Sequence, residues 1–133
     1  MQTDTGWRPR VASLSANTPL LSAISNDMSY AEAFAYQVNS FGRRGDLLIT
    51  ISSSGDSDNI VRAIEAARQQ NMGVLSFTGF DGGRSRQLAD VNLHVDAHNY
   101  GVVEDVHQSL MHMIMQYLRQ SRMDPGLVPQ RKF

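Results

Sequence analysis

The sequence has no cysteine. A disulfide framework, a thiol nucleophile and a zinc-thiolate centre are therefore all excluded, and a reducing compartment is the natural expectation. It also has no charge bias. The 12 basic and 13 acidic side chains are scattered along the chain and leave a formal charge of -1. Neither nucleic acid nor an anionic membrane surface is expected as a partner. No apolar run approaches the roughly 20 residues of a membrane helix, and the segment Thr3 to Trp7 lacks the apolar core of a signal peptide. The expectation is a soluble cytoplasmic protein. At 133 residues the chain is long enough for one core and one site.

What is there is a regular alternation of short apolar runs and helical periods. Val11 to Ser15 alternates small and apolar residues and reads as a strand, and Asn17, Thr18 and Pro19 then open a helix carrying Leu20, Leu21 and Ile24. Tyr30 to Phe41 places Phe34, Val38 and Phe41 at helical spacing, with Gly42 as its stop. Leu47 to Ile51 reads as a buried strand, followed by a helix holding Ile60, Ala63, Ile64 and Ala67 that ends at Asn71 and Gly73. Val74 to Phe77 forms the next strand, a turn with three glycines and a small helix through Leu88 follow, and Val91 to Val95 reads as an outer strand. Val102 to Arg119 is the last long helix. Strands joined by helices imply right-handed crossovers, a parallel sheet and a three-layer α/β sandwich, with ligands bound beyond the carboxyl ends of the strands.

The segment Ser52-Ser53-Ser54-Gly55-Asp56-Ser57-Asp58-Asn59 lies between a strand and a helix, where unpaired backbone N–H groups and the positive end of the helix dipole converge. Hydroxyls at Ser52, Ser53, Ser54 and Ser57 can donate to phosphate oxygens, and Gly55 permits close backbone approach. There is no Walker lysine and no Gly-x-Gly-x-x-Gly, so a phosphorylated small molecule is favoured over a nucleotide cofactor. The same residues also suit simple helix capping, and Asp56 places a negative charge beside the anion.

Taken together, Asp46 to Ile60 resembles the phosphosugar turn of SIS (sugar isomerase) domains, and Thr78-Gly79-Phe80-Asp81-Gly82-Gly83 is similar to the end of their next strand. Ala23-Ile24-Ser25-Asn26-Asp27 and Glu104 to His112 resemble the phosphoheptose isomerase branch, which interconverts sedoheptulose 7-phosphate and a heptose 7-phosphate. The resemblance implies phosphate on Ser52, Ser53, Ser54 and Ser57, and sugar against Asp27. It also implies a catalytic or metal-binding pair at Glu104 and His112, with zinc as the metal, and a homo-oligomer, often a tetramer. Glu104 stands where the family has glutamine, and Gly101 where it has an aspartate. It divides the chain into an extension over residues 1–9, a phosphosugar-binding domain over 10–121 and a tail over 122–133. Family members begin with a helix, a central strand, a Gly-Asn-Gly-Gly-Ser turn and a helix bearing a histidine and a glutamate. This sequence opens near their second strand. In the order 2-1-3-4-5 the strand without a counterpart lies inside the sheet, so two strand edges and half of a buried face are expected to be open unless another segment fills the gap.

Three functions follow as expectations. One is an aldose-ketose isomerase working through an enediol, and another is a non-catalytic module that binds a sugar phosphate or a protein partner in a regulatory role. The third is a portion of a longer enzyme. Glu104 and His112 lie eight residues apart, about 12 Å of helix rise, so one ion held by both is strained. His112 shares its helix with Val103, Val106, Leu110 and Ile114, which also suits a packing role; His107 is a weaker functional candidate, and His94 and His98 are expected in solvent. Met111, Met113 and Met115 cover more than one helix face, as a subunit contact would require.

Overall fold

A computed structural model describes residues 2–133. Its helices are α1 (Gln2–Thr5), α2 (Thr18–Asp27), α3 (Ala35–Phe41), α4 (Asp58–Gln69), α5 (Gly83–Leu88) and α6 (Tyr100–Gln120). The strands are β1 (Leu47–Ser52), β2 (Gly73–Thr78) and β3 (Val91–His94). They form a parallel sheet in the order β1-β2-β3, with Leu47 opposite Gly73 and Leu75 opposite Val91. This is the α/β sandwich expected, with β3 as an outer strand.

Local chemistry explains the element ends. Asn17 caps α2 by accepting from the Leu20 N–H at 3.1 Å, ahead of Pro19 in the first turn. Asn71, at φ +57, takes the left-handed conformation that ends α4 and turns the chain into β2. Asn99 caps α6 through the Val102 N–H at 3.1 Å.

One face of the sheet is well covered. Leu48 and Val74 pack under Val38 of α3 and Ala63, Ile64 and Ala67 of α4, all buried. Between the strands, Thr50 Oγ1 and Ser76 Oγ share a buried hydrogen bond of 2.7 Å, which makes two core hydroxyls harmless. The opposite face is covered only at β2, by the first half of α6. Phe77 meets the His107 ring edge-on at 5.7 Å, and His107 Nε2 bonds the Thr78 carbonyl at 3.1 Å. Val103 sits on Gly79, where an added Cβ would come within 2.5 Å of its methyl carbons.

Four expectations are corrected. Residues 11–15 form no strand; Val11 is exposed, and no strand lies alongside to complete a ladder. The anticipated helix over residues 30–41 is broken into a 3₁₀ turn (Tyr30–Glu32) and α3, because Ala33 is buried and Phe34 marks the start of the second piece. The packing histidine of α6 is His107, which is 1% exposed and continues the Val103, Leu110, Ile114 stripe, whereas His112 is exposed. His94 is half-buried, with Nδ1 3.1 Å from Thr78 Oγ1, while His98 is exposed and touches Phe80 edge-on.

Of the two open edges expected, the described residues show one, that of β1, since residues 11–15 form no strand to present the other. The outer edge of β1 is unpaired and its Leu47, Ile49 and Ile51 side chains are exposed. The two chain ends meet at the far end of α6. Asp4 is bound by Arg119 and Arg131, Arg122 lies over Trp7, and Arg119 lies over Phe133.

The close approach between the β1–α4 and β2–α5 turns has a direct consequence. At Gly55, φ is +68 and an added Cβ would lie 2.0 Å from the Gly82 carbonyl oxygen. Gly55→Ala is expected to lower the unfolding free energy by at least about 2 kcal/mol in chemical denaturation, combining left-handed strain with a backbone clash. A variant as stable as the parent would show that the two turns do not interlock.

Candidate functional site

The parallel strands bring the ends of β1 and β2 to one rim, and the polar turn from Ser52 to Ser57 stands on it. Backbone contacts tie it to the glycine turn after β2. Gly79 N–H donates to the Ser53 carbonyl at 2.7 Å, and Ser85 N–H donates to the Gly55 carbonyl at 2.8 Å. A Cβ on Gly83 would sit 2.6 Å from the Gly55 carbonyl group. The serines are thus held by main chain, which leaves their side chains free for other work.

Ser52 Oγ accepts from Gly55 N–H at 3.2 Å and Ser54 Oγ accepts from Asp56 N–H at 3.4 Å. A hydroxyl that accepts keeps its own proton to donate. Ser57 occupies the N-cap of α4, yet its side chain makes no capping bond. The Ser57 hydroxyl is therefore not spent on capping; of the first-turn donors of α4, the Ile60 N–H is already taken by the Ser57 carbonyl at 3.0 Å and Asn59 Oδ1 at 2.9 Å, which leaves the Asp58 and Asn59 N–H groups for a ligand. Ser52, Ser53 and Ser54 are half-buried and Ser57 is exposed, so the turn is both positioned and accessible. The donors and the helix dipole suit an anion with several acceptor oxygens.

Asp56 does not stand as an unopposed charge. Arg84, at the start of α5, donates from Nε to Asp56 Oδ1 at 2.5 Å and from Nη2 to Asp58 Oδ1 at 2.7 Å. Its backbone N–H reaches Asp56 Oδ1 at 3.3 Å, and Nη2 also reaches the Asp56 carbonyl at 2.8 Å. These hydrogen bonds, and then the guanidinium charge, hold the Asp56 carboxyl below its usual range; the same pair raises Arg84 further above its own. Sequence reading passed over Arg84, because it pairs with an aspartate 28 positions away and basic residues are spread throughout the chain. The adjacent acids Asp56 and Asp58, which need a cation, were the available signal.

The other candidates do not join the turn. Asp27 is exposed at the end of α2 and accepts from Asn26 Nδ2 at 2.9 Å. Glu104 and His112 are exposed on α6, and His112 Nε2 accepts from the Gln108 amide at 3.2 Å. No hydrogen bond or ion pair among the described residues links these three to the serines. Nor do the described residues include a group of three or more histidine, aspartate or glutamate side chains placed to hold a metal ion. Two donors eight residues apart on one helix do not fit zinc, which takes at least three protein ligands around one centre. Clefts of about 180 Å³, lined by Glu32, Asn39 and Arg62, and about 320 Å³, lined by Arg68, Asn71 and Asp90, lie away from the turn. The serine turn is one open wall of a site.

Comparison with known proteins gives this wall a lineage. The SIS domain pattern matches residues 7–79. The phosphoheptose isomerase of Aeromonas hydrophila is 42% identical over 111 residues, which cover 82% of this chain and 58% of that protein. A phosphoheptose isomerase structure from Francisella tularensis superposes with a TM-score of 0.81 at 30% identity, covering 85% of this chain and 62% of that one. That of Neisseria gonorrhoeae gives 0.75 at 36% identity, covering 77% and 58%. The chain spans about three-fifths of the length of these relatives. With more than half of its residues matching that pattern, the chain belongs to the SIS domain family.

Proposed function

We propose that the chain binds a phosphorylated sugar on Ser52, Ser53, Ser54 and Ser57 and takes part in aldose-ketose isomerisation of a heptose phosphate such as sedoheptulose 7-phosphate. The observation that carries this reading is the turn itself. Its hydroxyls are held by main-chain bonds with their protons free, and its N-cap serine is not spent on capping. The names of the relatives support the substrate class. Residues 10–121 form the phosphosugar-binding unit in this reading, working among phosphorylated metabolites of the cytoplasm. No helix among the described residues is long and apolar enough to cross a membrane.

Isomerisation between adjacent carbons requires a base to take the proton from the carbon beside the carbonyl. An acid protonates the carbonyl oxygen to give the enediol; the proton then returns at the former carbonyl carbon while the adjacent hydroxyl gives up its own proton and becomes the new carbonyl. Asp27 orients the sugar hydroxyls. His112 takes the base role once its Nε2 lone pair, which accepts from the Gln108 amide at 3.2 Å, is released to the substrate. Glu104 supplies the second proton-transfer group. The pair does not form a zinc site, so zinc binding needs ligands from outside these two residues, and no step is derived through it. Both side chains are exposed and neither is bonded to the serine turn, which fits a site completed by another chain segment or subunit. The same observation favours a second reading, a module that binds the sugar phosphate or a protein partner without turnover.

A homo-oligomer, a tetramer by analogy with the family, accounts for the exposed Met113, Met115 and Tyr117 on α6 and for the uncovered Leu47, Ile49 and Ile51 of β1.

Three measurements test these proposals. Ser54→Ala with Ser57→Ala is expected to weaken sedoheptulose 7-phosphate binding by about 10–100-fold, as lost bonds to a charged group do; unchanged affinity in calorimetry removes the phosphate assignment. An NMR isomerisation assay should show product formation that drops by about 10²-fold or more in His112→Ala. Binding without turnover in the parent protein supports the non-catalytic module instead. In light scattering, Met113→Glu should shift the parent oligomer to smaller species by burying a charge in the contact, and a monomeric parent would remove the oligomer proposal.

A further inference from the structure

An exposed ion pair ordinarily contributes little to stability, and the Arg84, Asp56 and Asp58 side chains are 47%, 56% and 67% exposed. The arrangement is nonetheless more than a chance surface contact. Arg84 makes four hydrogen bonds to two neighbours of the serines, two of them to the same carboxylate oxygen and one to the backbone of the turn. Its own backbone is fixed by the following Ser85 N–H, which donates to Gly55, and by the αL conformation of Gly82 and Gly83 that brings α5 against the serine turn. No other basic side chain among the described residues makes an ion pair with Asp56 or Asp58.

We propose that Arg84 is a positioning residue of the phosphate turn, neutralising Asp56 and Asp58 so that the serine donors can receive a dianion. The inference rests on the phosphate reading above and adds to it the residue that sets affinity. Asp56 lies between Ser54 and Ser57, and Asp58 follows directly. Two uncompensated carboxylates there would repel a phosphate dianion in the same volume that the α4 dipole makes attractive. Three of the four bonds from Arg84 draw the two carboxylates toward α5, and the fourth holds the Asp56 carbonyl. Arg84 acts through the two aspartates and need not touch the ligand, and its fork geometry lets one side chain serve both.

The test is calorimetric binding of sedoheptulose 7-phosphate to the full chain, at low ionic strength and at about 0.5 M salt, where the screening length falls to a few ångströms. Arg84→Gln is expected to weaken binding about tenfold at low salt, with the loss shrinking at high salt. Asp56→Asn with Asp58→Asn and Arg84→Gln, which leaves no charge to neutralise, is expected to recover parental affinity within about twofold. Asp56→Asn with Asp58→Asn in the presence of Arg84 should bind more tightly than the parent, and this variant decides the matter if Arg84→Gln does not fold. Parental affinity in Arg84→Gln overturns the proposal. A triple variant as weak as Arg84→Gln does so too, as does an Asp56→Asn, Asp58→Asn protein that binds no better than the parent. Absence of binding by the parent protein removes the phosphate reading and this proposal with it, an outcome distinct from the other three.

Discussion

The close approach of Gly55 to Gly82 is the constraint on which the carboxyl-terminal rim of the sheet depends. A Cβ at Gly55 would overlap the Gly82 carbonyl, and one at Gly83 would overlap that of Gly55, so two turns from successive strands can touch only backbone to backbone. That contact lets Ser85 N–H reach the Gly55 carbonyl and Gly79 N–H reach that of Ser53. With the main chain of the serine turn satisfied by its neighbour, the hydroxyls and the α4 N-terminus are left facing outward. The same approach brings Arg84 to the two aspartates. Outward-facing donors, charge balance and local rigidity are three results of one steric fit.

The elements at the centre of the fold were legible because each is specified locally. The Leu47 to Ile51 run ends in a polar turn, Ile60, Ala63, Ile64 and Ala67 keep one helical face, and Asn71 with Gly73 stops it. Sequence failed where the outcome depends on a distant partner. Val11 to Ser15 has strand alternation, yet a strand exists only when another lies beside it, and none does. Residues 30–41 have helical spacing throughout, but the burial of Ala33 beneath α4 favours a break at Phe34. On α6 the spacing Val103, His107, Leu110, Ile114 does put His107 in the apolar stripe, with His112 about 140° round the helix from it, but periodicity does not say what partner a buried histidine would find. The Thr78 carbonyl, 29 residues away, supplies the polar partner that lets His107 be buried.

The serine turn was readable as a phosphate site and equally as a set of helix caps. What favours the first is a side-chain fact, the absence of a capping bond from Ser57, which no spacing can express. The apparent objection posed by Asp56 likewise dissolved in a contact across 28 residues. Residues whose role depends on a single neighbour in the same turn could be named from sequence. Those whose role depends on charge balance across two turns could not.

The asymmetry between the two faces of the sheet bears on how the site can work. Beneath α3 and α4 the strands are sealed, and Thr50 and Ser76 satisfy one another there. On the other face only β2 is covered, and β1 presents both an unpaired edge and exposed Leu47, Ile49 and Ile51. An apolar strand with a free ladder edge in water is a costly and aggregation-prone surface, and proteins ordinarily cover it. The serine turn leaves the end of this same strand. Whatever packs against β1 will therefore also lie beside Ser52 to Ser57, and in the proposed reading it brings the sugar-facing groups that Asp27, Glu104 and His112 do not bring on their own. In that reading, covering the hydrophobic face and closing the site are one structural event.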